Sequence, residues 1–131
     1  MEELDDPFRA PETAGDGYGL VARHRHADGT LQLFYSDGVF GISVFEQRGR
    51  LDARRLPAGG RVDEVAGDEA HRYPVPGGEV LVWEGDELVF TCVGDAPIED
   101  LRTFAEDLAR EPEPGILTSL ARAVLAPFRW G

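Results

Sequence analysis

One short stretch constrains the fold of this 131-residue chain more than any other: Ser36-Asp37-Gly38, which separates two runs that alternate in polarity. Asp tolerates the left-handed backbone region and Gly enters it freely, so Asp-Gly between apolar runs is typical of a hairpin turn. After the turn, residues 39–47 carry apolar side chains at every second position, which is the period of a β-strand. The stretch therefore predicts two antiparallel strands joined at 36–38.

Turn-forming residues also separate further extended segments. The candidate strands are 18–26, 30–35, 39–47, 61–66, 72–75, 79–83 and 88–93. Because 61–66 is the weakest of them, we expect an antiparallel sheet of about six strands. Residues 80–83 and 88–90 are apolar on both faces, which predicts central strands that are covered on each side.

Two helical patterns follow the last strand. Pro97 suits a first helical turn, Asp95 can cap its free N–H groups, and residues 98–108 place apolar side chains at helical spacing. Two prolines within 110–115 end that helix, and 116–126 forms a second amphipathic pattern. The predicted fold is therefore α+β, an antiparallel sheet packed by one or two C-terminal helices.

The length fits one domain with a continuous core. Residues 1–17 are acidic and rich in Pro, Ala and Gly, which is typical of a linker or an N-terminal arm on the surface. We expect residues 18–131 to form a single domain. Met1 is followed by acidic residues, and no run of about eighteen apolar residues occurs, so the sequence as given shows no export signal.

The net charge of −12 argues against nucleic acid as a partner and against insertion of this chain into a membrane. All thirteen basic residues are Arg, a bias that we attribute to a high-GC bacterial genome. Cys92 is the only cysteine, so neither an intrachain disulfide nor a thiolate zinc cluster can form within the chain.

Few residues could be catalytic or bind a metal, and each of them has a simpler structural explanation. His24 and His26 share a strand face and could hold zinc with His71, but alternation with Arg also fits a solvated edge strand. Cys92 lies among apolar residues, which favours a buried structural thiol. A triad of His24, Ser36 and Asp37 can be imagined, yet Asp-Gly is first of all turn chemistry. We therefore assign no catalytic, metal-binding or cofactor-binding residue and expect no enzymatic activity.

Two groups of residues are candidates for contact with a protein partner. Arg48, Arg50, Arg54 and Arg55 form the one basic cluster, and guanidinium groups suit carboxylates or phosphates on a partner. The alternative is a solvated loop that pairs with the acids of the chain itself. Phe128 and Trp130 could dock on a partner or pack back onto the sheet.

Two blocks, LFYSDGVFGISVF at 33–45 and FTCVGDAP at 90–97, resemble the small C-terminal domain of the MucB/RseB family of sigma-E regulatory proteins. The resemblance covers roughly residues 17–108. It implies an extracytoplasmic or membrane-tethered regulator that docks on the extracytoplasmic part of an anti-sigma factor during envelope stress. The larger lipid-sensing N-terminal domain of that family has no counterpart in this sequence.

We therefore expect a non-catalytic regulatory domain that binds a protein. Two alternatives remain open: a small ligand-binding module with a deep apolar cavity between sheet and helices, and a hydrolase that uses the His and Asp residues.

Overall fold

A computed structural model describes residues 7–110 of the chain. They form one antiparallel sheet of eight strands and one α-helix. The strands are β1 Thr13–Ala14, β2 Tyr18–Arg25, β3 Leu31–Ser36, β4 Gly41–Arg48, β5 Arg61–Val65, β6 Asp68–Val75, β7 Gly78–Gly85 and β8 Leu88–Gly94. The helix is α1, Ile98–Ala109.

The sheet consists of two meanders of four strands, in the order β1-β2-β3-β4-β8-β7-β6-β5. The meanders join in the middle, where β4 pairs with β8 and Val44 lies opposite Cys92. This order places β7 and β8 inside the sheet, as the apolar content of 80–83 and 88–90 predicts.

The α+β class is confirmed, but the expected count of about six strands is wrong, because the sheet has eight. Strand β1 has only two residues, Thr13 and Ala14, and two residues cannot show a period. The predicted strand at 61–66 is present as β5. The first predicted helix corresponds to α1, whereas the second, at 116–126, lies outside the described residues.

One face of the sheet, which we call the helix face, bears Leu33, Val44, Leu81 and Cys92 and packs against α1. The buried side of α1 consists of Leu101, Phe104, Ala105 and Leu108. The Phe104 ring contacts Tyr35 edge-on, with 4.9 Å between the ring centroids. The apolar stripe that predicted the helix is therefore also the stripe that closes the core.

Both edges of the sheet are tied to α1. On β5, Asp63 accepts hydrogen bonds from Nε and Nη2 of Arg102 at 3.0–3.2 Å. Just after β1, the backbone N–H of Gly15 donates to Asp107 at 2.7 Å. Eight flat strands would span roughly 34 Å, far more than the width of one helix, so the sheet must curve around α1.

The N-terminal arm completes the cover of the helix face. The backbone N–H of Arg9 donates to Oε1 of the buried Glu46 at 2.8 Å. Tyr35 donates its hydroxyl proton to the carbonyl of Pro11 at 2.7 Å. Since Tyr35 and Glu46 both project from the helix face, the described part of the arm lies beside α1 on the same side of the sheet.

Candidate functional site

The other face, which we call the loop face, bears Phe34, Phe45, Val82 and Thr91. Residues 49–60, here called the Arg connection, run from the end of β4 to the start of β5. Because β8, β7 and β6 separate these two strands, the connection has to cross the sheet.

Two hydrogen bonds show which face the Arg connection crosses. The backbone N–H of Leu51 donates to Oε1 of Glu84 on β7 at 2.9 Å. The hydroxyl of Tyr73 on β6 donates to the carbonyl of Pro57, also at 2.9 Å. Glu84 is on the same side of β7 as Val82, and Tyr73 is paired with Val80, so both side chains belong to the loop face.

Three of the four predicted Arg residues lie on this connection, and all three are exposed: Arg50, Arg54 and Arg55. A short 3₁₀ turn, Ala53–Arg55, contains Arg54 and Arg55. Its N-terminal cap is Asp52, whose Oδ1 accepts from the backbone N–H of Arg54 at 3.1 Å and from Nε of the same residue at 3.3 Å. The cap fixes the local backbone while the Arg54 side chain stays 91 % exposed.

The fourth Arg is placed differently. Arg48 is the last residue of β4 and points to the helix face, where its guanidinium carbon lies 5.2 Å from the centroid of the Phe8 ring. Arg25 stacks on the same ring at 4.5 Å. The structure therefore separates Arg48 from Arg50, Arg54 and Arg55, although the four are close in sequence.

The loop face is left partly open beyond the connection. Phe34 is 38 % exposed, and its ring lies against Gly41 so closely that a Cβ there would be 2.7 Å from the Phe34 Cζ. A groove of about 320 Å³ lies near the other end of the same strands. It is lined by His26, Asp28, Thr30, Phe45, Gln47 and Thr91.

The two sequence blocks that resemble the MucB/RseB domain meet in the structure. Ile42 pairs with Gly94, and Oδ1 of Asp95 accepts from the N–H of Gly41 at 2.9 Å. Pro97 is the N-cap of α1, and no side chain caps the helix, so the prediction that Asp95 caps it is wrong. Asp95 instead joins the helix entrance to the sheet, because the Gly41 N–H lies within its reach.

The turn at 36–38 adjoins this junction. Oδ1 of Asp37 accepts from the N–H groups of Val39 and Phe40, both at 2.8 Å, and these bonds lower the pKa of the carboxyl group. Gly38 takes a φ of +97°, a region that few side chains tolerate. Together these features hold the hairpin between β3 and β4.

Tyr18 is buried next to the turn. Burial is the main cause that raises the pKa of its phenol to about 12, and the charges of Asp37, Asp100 and Asp95 add to the rise. The hydroxyl therefore keeps its proton at neutral pH. It faces three carboxylates that all lie at the end of the sheet where α1 begins.

The fold does not bring the three histidines together. His26 shares a hydrogen bond of 2.8 Å with Gln32, and its ring lies 4.4 Å from that of the exposed His24. His71 is on β6, five strand spacings away along the sheet. Asp37 lies beyond the opposite end of β3. Within residues 7–110, no three His, Cys, Asp or Glu side chains are placed to hold a metal ion.

Cys92 is completely buried on the helix face. Burial is the main cause that raises the pKa of its thiol, and the nearby charge of Glu46 acts in the same direction. The thiol therefore stays protonated and packs as a small apolar group.

A second cavity, of about 300 Å³, lies where the β5–β6 and β7–β8 turns meet the end of α1. Trp83 and Phe90 form part of its wall and stack on each other with ring centroids 5.0 Å apart. Its remaining wall includes Arg9, Asp68 and Asp86. The cavity is thus partly charged, unlike the deep apolar cavity that a ligand-binding module would have.

Sequence reasoning missed the residues that hold the Arg connection in place, chiefly Glu84 and Tyr73. No local pattern marks them, since their partners are 33 and 16 residues away in the sequence. Phe128 and Trp130, the predicted terminal aromatics, lie outside the described residues. No helix of the described part is long and apolar enough to cross a membrane.

Comparison with known proteins adds no family assignment. No protein-family model matches the chain, and a search of curated proteins gave no match.

Proposed function

We propose that this chain is a non-catalytic regulatory domain that binds a protein partner through its Arg connection. One observation carries the proposal: three exposed Arg side chains are presented together on one face of a chain whose net charge is −12. The connection that bears them is fastened to the sheet by Glu84 and Tyr73. A basic surface on an acidic protein favours an acidic segment as its partner.

The geometry suits recognition by charge. Guanidinium groups bind carboxylates through paired N–H donors, and their binding is strongest when the backbone that carries them is already ordered. Here the bond from the Gly49 N–H to the Glu87 carbonyl orders the backbone before Arg50, and the bond from Leu51 to Glu84 and the Asp52 cap order the backbone after it. Partner binding would therefore require little further ordering of the chain.

The identity of the partner is proposed from the resemblance to the MucB/RseB domain. That resemblance favours the extracytoplasmic region of an anti-sigma factor, and an extracytoplasmic or membrane-tethered location for this domain. The direct contact between the two blocks, through Asp95 and Gly41, supports treating them as one unit rather than as two chance similarities.

The experiment is a calorimetric titration of the full chain with the purified extracytoplasmic region of an anti-sigma factor from the same genome. The test variant is Arg50→Glu with Arg55→Glu, which leaves the pair of Arg54 and Asp52 intact. The control is Arg23→Glu with Arg110→Glu, which makes the same change in charge at exposed sites elsewhere.

We expect the test variant to bind roughly ten-fold or more weakly, with the control close to the unmodified chain. Higher salt should weaken binding of the unmodified chain. Equal affinity for the two variants would overturn the role of the Arg connection. Absence of binding by the unmodified chain would overturn the proposed partner.

A further inference from the structure

We propose that two copies of this chain associate through strand β5, so that their sheets join edge to edge about a two-fold axis. The contact uses the outer edge of β5 and not the Arg connection, so it goes beyond the proposed function. Either proposal can therefore fail while the other stands.

The two edges of the sheet are protected to different degrees. Strand β2 is partly covered by β1, and its pairing with β3 is interrupted by a bulge between Leu20 and Ala22. Beyond the bulge it carries Arg23 and Arg25, whose like charges disfavour pairing with a second copy. Strand β5 pairs with β6 without a break over 61–65 and contains no Pro. Among the strands of the described residues, only β6 pairs with it, so its outer side is open.

The turn after β5 determines which of its backbone groups face outward. Ala66 and Gly67 have φ values of 51° and 89°, as in a two-residue type I′ turn. In such a turn the flanking residues form a hydrogen-bonded pair, so the backbone of Val65 faces β6. Because bonded and non-bonded pairs alternate along an antiparallel ladder, the N–H and carbonyl groups of Val62 and Glu64 face outward.

These two outward residues differ in how far they are already satisfied. The N–H of Glu64 donates to Oδ1 of Asp63 at 2.8 Å, which agrees with its outward direction. No side chain of the described residues bonds to the backbone of Val62, and the Val62 side chain is 74 % exposed. An edge residue with a free N–H, a free carbonyl and an exposed apolar side chain is a template for another strand.

The sequence of β5 selects one register for a second copy. Three antiparallel registers pair outward residues: Glu64 with itself, Val62 with Glu64, and Val62 with itself. The first register places like charges opposite each other. The second places Asp63 opposite itself and requires the Glu64 N–H that Asp63 already binds. The third places Val62 against Val62 and sets Arg61 opposite Asp63 of the second copy, twice over the two-fold axis.

The third register also suits the surroundings of these side chains. Arg61 is exposed and forms no ion pair within residues 7–110. Asp63 projects from the same face as Arg61 and holds only Arg102 as a salt-bridge partner in the described part of the chain. Val62 pairs with His71 and lies on the loop face, so the two Val62 side chains would cover each other there. Charges that complement themselves in this way favour a second copy as the occupant of the edge.

The size of the contact determines how the test is designed. Paired strands of five residues bury less surface than a standard interface, so we expect a weak dimer. The charge of −12 on each copy also opposes association, and salt screens this repulsion. The average mass of the full chain is therefore measured by sedimentation equilibrium at concentrations up to about 1 mM in about 0.5 M salt.

The test variant is Val62→Lys, which places two like charges opposite each other in the proposed register. The control is Val21→Lys, at a valine on β2 that is 63 % exposed. For the unmodified chain and the control, we expect a mass that rises with concentration towards that of two chains. We expect Val62→Lys to associate at least ten-fold more weakly. A mass that stays at one chain for the unmodified protein, or equal association of the two variants, would overturn the proposal.

Disulfide cross-linking tests the register. Residues of a bonded antiparallel pair have Cα atoms about 5.5 Å apart, within the reach of a disulfide, so Val62→Cys should form a covalent dimer on oxidation. Glu64→Cys is the control, because the two copies of position 64 would be four residues out of register, roughly 13 Å apart along the strands. Cys92 is buried and its thiol pKa is raised, so it does not compete. We expect cross-linking several-fold faster at position 62, and an equal or faster rate at position 64 would overturn the proposal.

Discussion

The two faces of the sheet are built differently. The helix face is closed by α1 and the N-terminal arm, and its central side chains, such as Val44 and Leu81, are fully buried. The loop face is crossed by the Arg connection, which is fastened by hydrogen bonds to Glu84 and Tyr73 and leaves Phe34 38 % exposed. Burial is therefore concentrated on the helix face, whereas side chains of the loop face such as Phe34 remain available for contact.

The largest expected effect is on the helix face. Phe104→Ala removes a fully buried ring that contacts Tyr18 and Tyr35. We expect it to lower the free energy of unfolding by about 3–5 kcal/mol, because a large cavity replaces the ring. Urea unfolding monitored by circular dichroism measures this loss. Phe34→Ala on the loop face is the matched control, and an equal loss there would remove the distinction between the faces.

A smaller effect is expected where the edge of the sheet holds α1. Asp63→Asn weakens the bonds from Arg102, and we expect a loss of about 1–2 kcal/mol near neutral pH. The control is Glu64→Gln, an exposed neighbour on the same strand, which should change stability little. Equal losses in the two variants would show that the link to Arg102 is not specific.

The bonds between Asp63 and Arg102 also predict how the difference in unfolding free energy between the Asp63→Asn variant and the unmodified chain depends on pH. Although burial raises the pKa of Asp63, the hydrogen bonds from Arg102 prevail and lower it below the usual 3.8. A carboxyl group whose pKa is lower in the folded state stabilises the protein at pH values above its unfolded-state pKa. This contribution is lost as the pH falls through the folded-state pKa. The difference in stability should therefore shrink below about pH 4, and an unchanged difference in acid would contradict the assignment.

The smallest effect on stability is expected on the loop face. Glu84→Ala combined with Tyr73→Phe removes both side-chain bonds that fasten the Arg connection, and we expect the exposed connection to lose order with a loss in stability of about 1 kcal/mol or less. Trypsin should then cut the native protein after Arg50, Arg54 or Arg55 several times faster, because local opening exposes these bonds. Unchanged cleavage there would show that other contacts hold the connection.

The helix face was largely predictable from the sequence. Its strands and α1 have apolar side chains at periods of two and about 3.6, and such periods are local features of the sequence. The turn at 36–38 was readable for the same reason, since the Asp37 carboxylate accepts hydrogen bonds from the nearby N–H groups of Val39 and Phe40. Strand β1 was not, because its two residues, Thr13 and Ala14, are too few to show a period.

The candidate site was predictable only in part. The sequence identified the Arg cluster, but it could not show that Arg48 faces the helix side while Arg50 and Arg55 lie on the connection. That separation depends on the alternation of side chains between the two faces of the sheet at the end of β4. It also depends on contacts with Glu84 and Tyr73, which only the topology brings near the Arg connection. Asp95 was assigned to the helix for a similar reason, since its actual partner, Gly41, is 54 residues away.

Hydrogen exchange of the full chain, measured with and without the proposed partner, the extracytoplasmic region of an anti-sigma factor, tests directly whether the loop face is the contact face. We predict that binding slows exchange within the Arg connection, residues 49–60, and leaves the already protected amides of α1 unchanged. Protection that appears on α1 and the N-terminal arm, with none in the connection, would contradict the claim that the loop face is the contact face.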